Sequence, residues 1–158
     1  MNKITPIILA GICFIVPVLA QQSEQSQGLL TEDYSTALPG VRFAPLHIYI
    51  DSGNSSLAAY QFELKAAAGQ IKIVGVEGGQ HAAFKEAPYY DPAALANKRI
   101  IIAAFSTGSD LPKGRTRIAT IHLQIAGDAE PQYELKLIVA AGADGKEIPA
   151  EITFEKGE

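Results

Sequence analysis

The sequence predicts an all-β fold, an antiparallel β-sandwich of jelly-roll type with one short helix. Three observations lead there. Apolar and polar residues alternate with a period of two along much of the chain after Phe43. Turn formers cut that pattern into segments spaced by about 8–15 residues, the rhythm of an all-β domain. One segment, Lys98-Arg99-Ile100-Ile101-Ile102-Ala103-Ala104-Phe105, is apolar at almost every position and rich in β-branched residues. Such a run is expected of a strand covered by protein on both faces, with the alternating strands folded into two layers around it.

The elements follow in order. Leu46, Ile48 and Ile50 alternate with His47, Tyr49 and Asp51, a half-buried strand, and Asp51-Ser52-Gly53-Asn54-Ser55-Ser56 turns the chain. In Leu57–Lys65 the residues Ala58, Tyr60, Phe62 and Leu64 share one face. A third strand runs from Gln70 to Glu77, and its parity switches at Ile73-Val74 beside Gly75, the mark of a β-bulge. Asp91-Pro92-Ala93-Ala94-Leu95-Ala96-Asn97 combines an N-cap residue, proline at the first helical position and good helix formers, so the short helix is expected there. The preceding stretch, Phe84 to Tyr90, reads as a loop. After the central run, Arg115 to Ala126 points Ala119, Ile121, Leu123 and Ile125 inward. Pro131 opens a strand with Tyr133, Leu135, Leu137 and Val139 on one face. Asp144-Gly145 is a hairpin signal, since both turn positions tolerate positive φ. The last strand, Glu147 to Glu155, carries Pro149, which suits an edge.

Residues 1–20 have the anatomy of a secretory signal, with Lys3 in the positive n-region, an apolar stretch from Ile4 to Leu19 and small residues at the end of Val18-Leu19-Ala20. Two prolines and a length short of about 20 residues argue against a membrane span. Leu9-Ala10-Gly11-Ile12-Cys13 approaches a lipobox, but Ile12 stands where a small residue belongs. The expected mature chain has no cysteine and no transmembrane segment, and its location is secreted, periplasmic or at the cell surface. Residues 21–42 are Gln/Ser/Glu-rich and read as a flexible leader, leaving 43–158 as a single domain. A formal charge of −4, without a basic run, argues against a nucleic-acid partner.

The order of features from Ser56 to Ala126 resembles that of bacterial cohesin domains and related carbohydrate-binding sandwiches. The matching stretches are Leu57-Ala58-Ala59-Tyr60-Gln61-Phe62-Glu63-Leu64, Ile71-Lys72-Ile73-Val74-Gly75-Val76-Glu77-Gly78-Gly79, Arg99 to Phe105, and Gly114 to Leu123. The resemblance implies a nine-stranded jelly roll whose sheet docks a calcium-loaded dockerin. Two departures are plain: Ala66-Ala67-Ala68-Gly69 stands where the family has an aspartate-proline turn, and one domain stands where cellulosomal scaffolds carry several.

Catalytic and metal chemistry find little support. His47, His81 and His122 lie on separate segments without ligand spacing, and Asp144-Gly145-Lys146-Glu147 is a better hairpin than calcium loop. Glu63, Glu77, Glu86 and Asp91 offer carboxylates but no spacing that pairs them across a cleft. The expectation is a non-catalytic module with no cofactor. Its candidate binding residues are Tyr89, Tyr90 and Asp91 in Pro88-Tyr89-Tyr90-Asp91-Pro92, with Tyr49, because tyrosine offers a large rigid contact with a polar tip. A protein partner of dockerin type would require an apolar patch on an outward sheet face, with Leu57, Ala59 and Ile138 as its expected members. The alternative, a carbohydrate-binding module for a polysaccharide, would require Tyr49, Tyr89 and Tyr90 to be exposed and coplanar.

Overall fold

The computed structural model describes residues 40–157. The expected signal sequence at 1–20, the Cys13 lipobox alternative and residues 21–39 of the leader lie outside the described residues. Among those described, eight strands account for most of the chain: β1 (Val41–Asp51), β2 (Ala59–Ala68), β3 (Gln70–Gly78), β4 (Tyr89–Tyr90), β5 (Arg99–Phe105), β6 (Arg115–Ala126), β7 (Gln132–Ala141) and β8 (Glu151–Lys156). No described helix is long and apolar enough to cross a membrane.

The strands form two antiparallel four-stranded sheets, one in the order β3-β6-β1-β8 and the other β4-β5-β2-β7. The protein is therefore an antiparallel β-sandwich. Its pairings nest: β1 with β8, β2 with β7, β3 with β6 and β4 with β5. Nesting of this kind arises when one long hairpin is rolled around a core, which is the jelly-roll arrangement. Of these pairs only β4–β5 stays within one sheet while joining consecutive strands. Every other link carries the chain from one sheet to the other.

Alternation explains the core. Leu46, Ile48 and Ile50 of β1 face Tyr60, Phe62 and Leu64 of β2, with Ile71, Ile73, Ile100, Ile102, Ile121, Leu123 and Ile125 completing the layer, all almost without accessible surface. Each such aliphatic or aromatic side chain contributes about 1.5–3 kcal/mol of transfer free energy. Among the described residues Tyr60 is the one buried phenol. Its hydroxyl donates to the Ile118 carbonyl at 2.9 Å, and its ring meets Phe84 edge-on with centroids 5.1 Å apart. Burial pushes its pKa well above the ordinary tyrosine value, so the hydroxyl stays a donor. Tyr60→Phe is expected to lower stability by about 1–2 kcal/mol, because it strands a buried carbonyl. Urea titration would register this as an earlier midpoint at unchanged slope.

Five sequence expectations are corrected. The central run, β5, is covered on one face only: Ile100 and Ile102 are buried, but Ile101 and Ala103 are half-exposed and Phe105 is 62% exposed. Its continuous apolarity leaves the strand with an apolar outward side. The helix expected at 91–97 is a single 3₁₀ turn, Pro92–Ala94, with Asp91 Oδ1 accepting from the Ala93 N–H at 2.9 Å. It stops because Leu95 is extended and Ala96 takes φ 66°, which lets Ala96 donate to Ile73 O and Asn97 O accept from Ile73 N. Pairing to β3 overrides helix propensity. The stretch 84–90, read as a loop, contains β4, and a second 3₁₀ turn, Ala82–Phe84, precedes it. A bulge in β7, where Ile138 has no partner between Leu137 and Val139, moves Val139 outward and puts Ala140 in the core. Leu57, expected on an outer face, is 1% exposed. The bulge in β3 falls where the parity switch put it, between Ile73 and Gly75, and leaves Val74 at the surface.

Candidate functional site

The outer face of the β4-β5-β2-β7 sheet divides into two halves. Residues of β2 with odd numbers point away from the core, and the register carries that face across the sheet. One row runs Tyr89, Ala103, Gln61, Val139, and the next runs Phe105, Ala59, Ala141. On the other side of Tyr89 come Ile101, Glu63 and Lys136, then Arg99, Lys65 and Glu134. One half is thus apolar apart from Gln61. The other is a band of alternating charge.

Two aromatics dominate the apolar half. Tyr89 is 68% exposed and Phe105 62% exposed, and their rings stack with centroids 6.0 Å apart and 9° between planes. They stand at the β4/β5 side. Ile138, lifted by the β7 bulge to 42% exposure, stands at the opposite side. Between them lie the small residues Ala59, Ala103 and Ala141. Large side chains at two edges with alanines and Gln61 between make a shallow trough about three strand spacings across, or roughly 14 Å.

The charged half is internally paired. Arg99 donates to Glu63 through Nε at 2.8 Å and Nη2 at 3.1 Å, and Lys65 Nζ lies 3.3 Å from Glu134 Oε2. The Arg99 hydrogen bonds, assisted by the positive charges of Arg99, Lys136 and Lys65, hold the Glu63 carboxyl below the usual carboxylate range. A depressed folded-state pKa stabilises the fold above the ordinary carboxylate value, and that contribution fades as pH falls through the folded value. Carboxyl-carbon NMR titration is expected to place the Glu63 midpoint below that of a model peptide, and Arg99→Ala to move it back up.

The four residues singled out in the sequence are not brought together. Tyr89 lies in the apolar half just described. Tyr90, its neighbour on β4, turns inward and packs against the core. Asp91 is exposed and caps the 3₁₀ turn. Tyr49 is on the other sheet, under the Arg115 guanidinium at 3.7 Å from its ring centroid. An aromatic plane made of Tyr49, Tyr89 and Tyr90 therefore does not form. Of the three residues expected in an outward apolar patch, Ala59 and Ile138 are in it and Leu57 is in the core. Phe105, the second aromatic of the patch, is not singled out by the sequence, because a run apolar at nearly every position does not say which residues face out. Its position after the alternation of Ile100 and Ile102 was the available signal.

The histidines are dispersed. His47 Nδ1 is 3.1 Å from Thr120 Oγ1, His122 Nε2 is 3.2 Å from Glu77 Oε1, and His81 Nδ1 accepts from the Ala83 N–H at 3.2 Å. Among the described residues no three His, Cys, Asp or Glu side chains converge as a metal site would require.

No protein-family model, curated protein or solved structure matches the chain. The class that fold and surface define is an all-β sandwich with an apolar, aromatic-edged half on one outer sheet face.

Proposed function

We propose that the chain is an exported, non-catalytic binding module of cohesin type, and that it docks a protein partner on the outer face of the β4-β5-β2-β7 sheet. The carrying observation is the trough edged by Tyr89, Phe105 and Ile138 and floored by Ala59, Ala103 and Ala141. Exposed aromatics grouped on one face of an acidic protein are typical of interaction surfaces, because scattered apolar residues are ordinary but contiguous ones favour burial by a partner. A floor of alanines lets a partner's backbone come close while the aromatics supply anchors. The adjacent Arg99, Glu63, Lys65, Glu134 and Lys136 form a rim whose charges set orientation and encounter rate more than affinity. The nested strand order is further support, since a jelly roll is what the cohesin resemblance implies.

The test is capture from an extracytoplasmic extract of the source organism with the immobilised chain, with calcium and with chelator, beside the Tyr89→Ala, Phe105→Ala double variant. A protein retained by the native chain and lost with the double variant is the expected result, and calcium dependence would point to a dockerin-type partner. Retention of polysaccharide in place of protein would instead favour the carbohydrate-binding alternative. Retention that ignores the double substitution would sink the proposed face.

A further inference from the structure

The geometry points to a second interaction surface, the free edge of β7, and to a second copy of this chain as its occupant, joined by antiparallel β7–β7 pairing. Among the described residues β7 is paired with β2 along one side, while on its other side only the end is engaged, through Ala140 O and the Ala141–Glu147 bridge. Tyr133 to Leu137 is thus an open row of backbone donors and acceptors. Open edges usually carry a device that repels another strand: a proline, a bulge or charged side chains, lysine above all. Here Pro131 stands before the strand, the bulge at Ile138 lies toward its far end, and the charges are the opposite pair Glu134 and Lys136, which repel an arbitrary strand but not a copy of themselves in the right register. The inward residues Tyr133, Leu135 and Leu137 are apolar and only half-buried, so the core at this edge is incompletely covered.

The charge pattern selects the partner. A two-fold interface must be self-complementary, with residue i meeting j and j meeting i. Pairs directly opposite in a sheet share a face, so only registers that match outward with outward residues are allowed. Centring the two-fold on Leu135 sets Glu134 against Lys136 of the second copy and Lys136 against Glu134, with Tyr133 opposite Leu137 on the inner side. Centring on Glu134 or on Lys136 instead places like charges face to face, which is unfavourable. Of the three registers centred within Glu134–Lys136, the one on Leu135 satisfies sterics and charge together and pairs both charges of each copy. The two sheets then join into an eight-stranded one. This inference stands apart from the docking proposal, because it uses the edge and not the outer trough.

The test is sedimentation velocity on the full chain from about 1 μM to about 1 mM, the range in which small interfaces associate. The native chain is expected to dimerise. Glu134→Lys and Lys136→Glu, each at an exposed position and each checked for native circular dichroism, are each expected to weaken association by about tenfold or more, since both symmetry-related pairs become repulsive. An equimolar mixture of the two variants is expected to dimerise again, because every like-charge pair then becomes opposite. A native chain that stays monomeric throughout, variants that associate as well as the native chain, or a mixture that fails to recover would each overturn the proposal.

Discussion

Gly79→Ala is expected to cost about 3 kcal/mol or more of stability, a large share of the roughly 5–15 kcal/mol that holds a domain folded. A β-carbon at Gly79 would fall within the contact distance of the Arg117 carbonyl oxygen and 2.8 Å from Ile118 Cα. Neither neighbour can retreat. Ile118 is fully buried, its carbonyl receives the Tyr60 hydroxyl, and the Arg117 carbonyl already accepts from the Gln80 N–H at 2.9 Å. Gly79 is itself held by donating to Phe84 O at 2.6 Å. Gly78 is no freer, since a β-carbon there would meet the Lys85 and Glu86 carbonyls. The two glycines let the end of β3 pass between β6 and the 3₁₀ turn at backbone contact distance. Gly40→Ala, with nothing within 4 Å and no positive φ, is the matched control and is expected to stay within about 0.5 kcal/mol of the native chain. Thermal and urea denaturation of both variants decide the matter: a Gly79→Ala melting temperature close to that of Gly40→Ala would show that the clash is relieved elsewhere.

Ala103→Arg is expected to weaken partner binding by about a hundredfold while leaving the fold intact. Ala103 sits between Tyr89 and Gln61 at the floor of the trough. An arginine there fills the floor and places a charge where an apolar surface would be desolvated, and losses at such central positions commonly exceed about 2 kcal/mol. Its side chain points to solvent in the free protein, so circular dichroism and melting temperature should change little. Phe105→Ala removes an anchor without adding a charge and is expected to lose about tenfold to thirtyfold. Titration calorimetry with the captured partner separates the cases. Equal affinity for native and Ala103→Arg chains would exclude the trough, and a melting temperature that fell with affinity would assign the loss to folding.

Much of the fold was legible because period-two alternation is a local signal that survives whatever packs on it. Leu46-Ile48-Ile50, Tyr60-Phe62-Leu64 and Ile121-Leu123-Ile125 face the core as their spacing requires. What alternation cannot carry is the position of a bulge within an apolar run. Ile138 and Val139 are chemically interchangeable as pattern, and only pairing with β2 decides that Ile138 is the extra residue. Composition misled in the same way at β5, where Ile101 and Ala103 gave no hint that one sheet face lacks a cover. At Asp91 to Asn97 the local helix preference holds for one turn, beyond which a long-range pair with Ile73 overrides it. The candidate site was legible in part: Tyr89, Ala59 and Ile138 came from residue type and face, whereas their convergence with Phe105 depends on strand order, which no local pattern encodes.

The nesting of the strand pairs also governs how quickly the protein reaches this state. Only β4 and β5 are neighbours in both chain and sheet, so nearly every ladder must close a long loop before its contacts repay the lost entropy. β1 finds its outer partner only when β8, ending at Lys156, is present. Domains wired in this way fold in roughly milliseconds to seconds rather than microseconds. A nascent chain of this topology can therefore close its β1–β8 ladder only after residues 151–156 have been made, so the last step of folding falls late relative to synthesis.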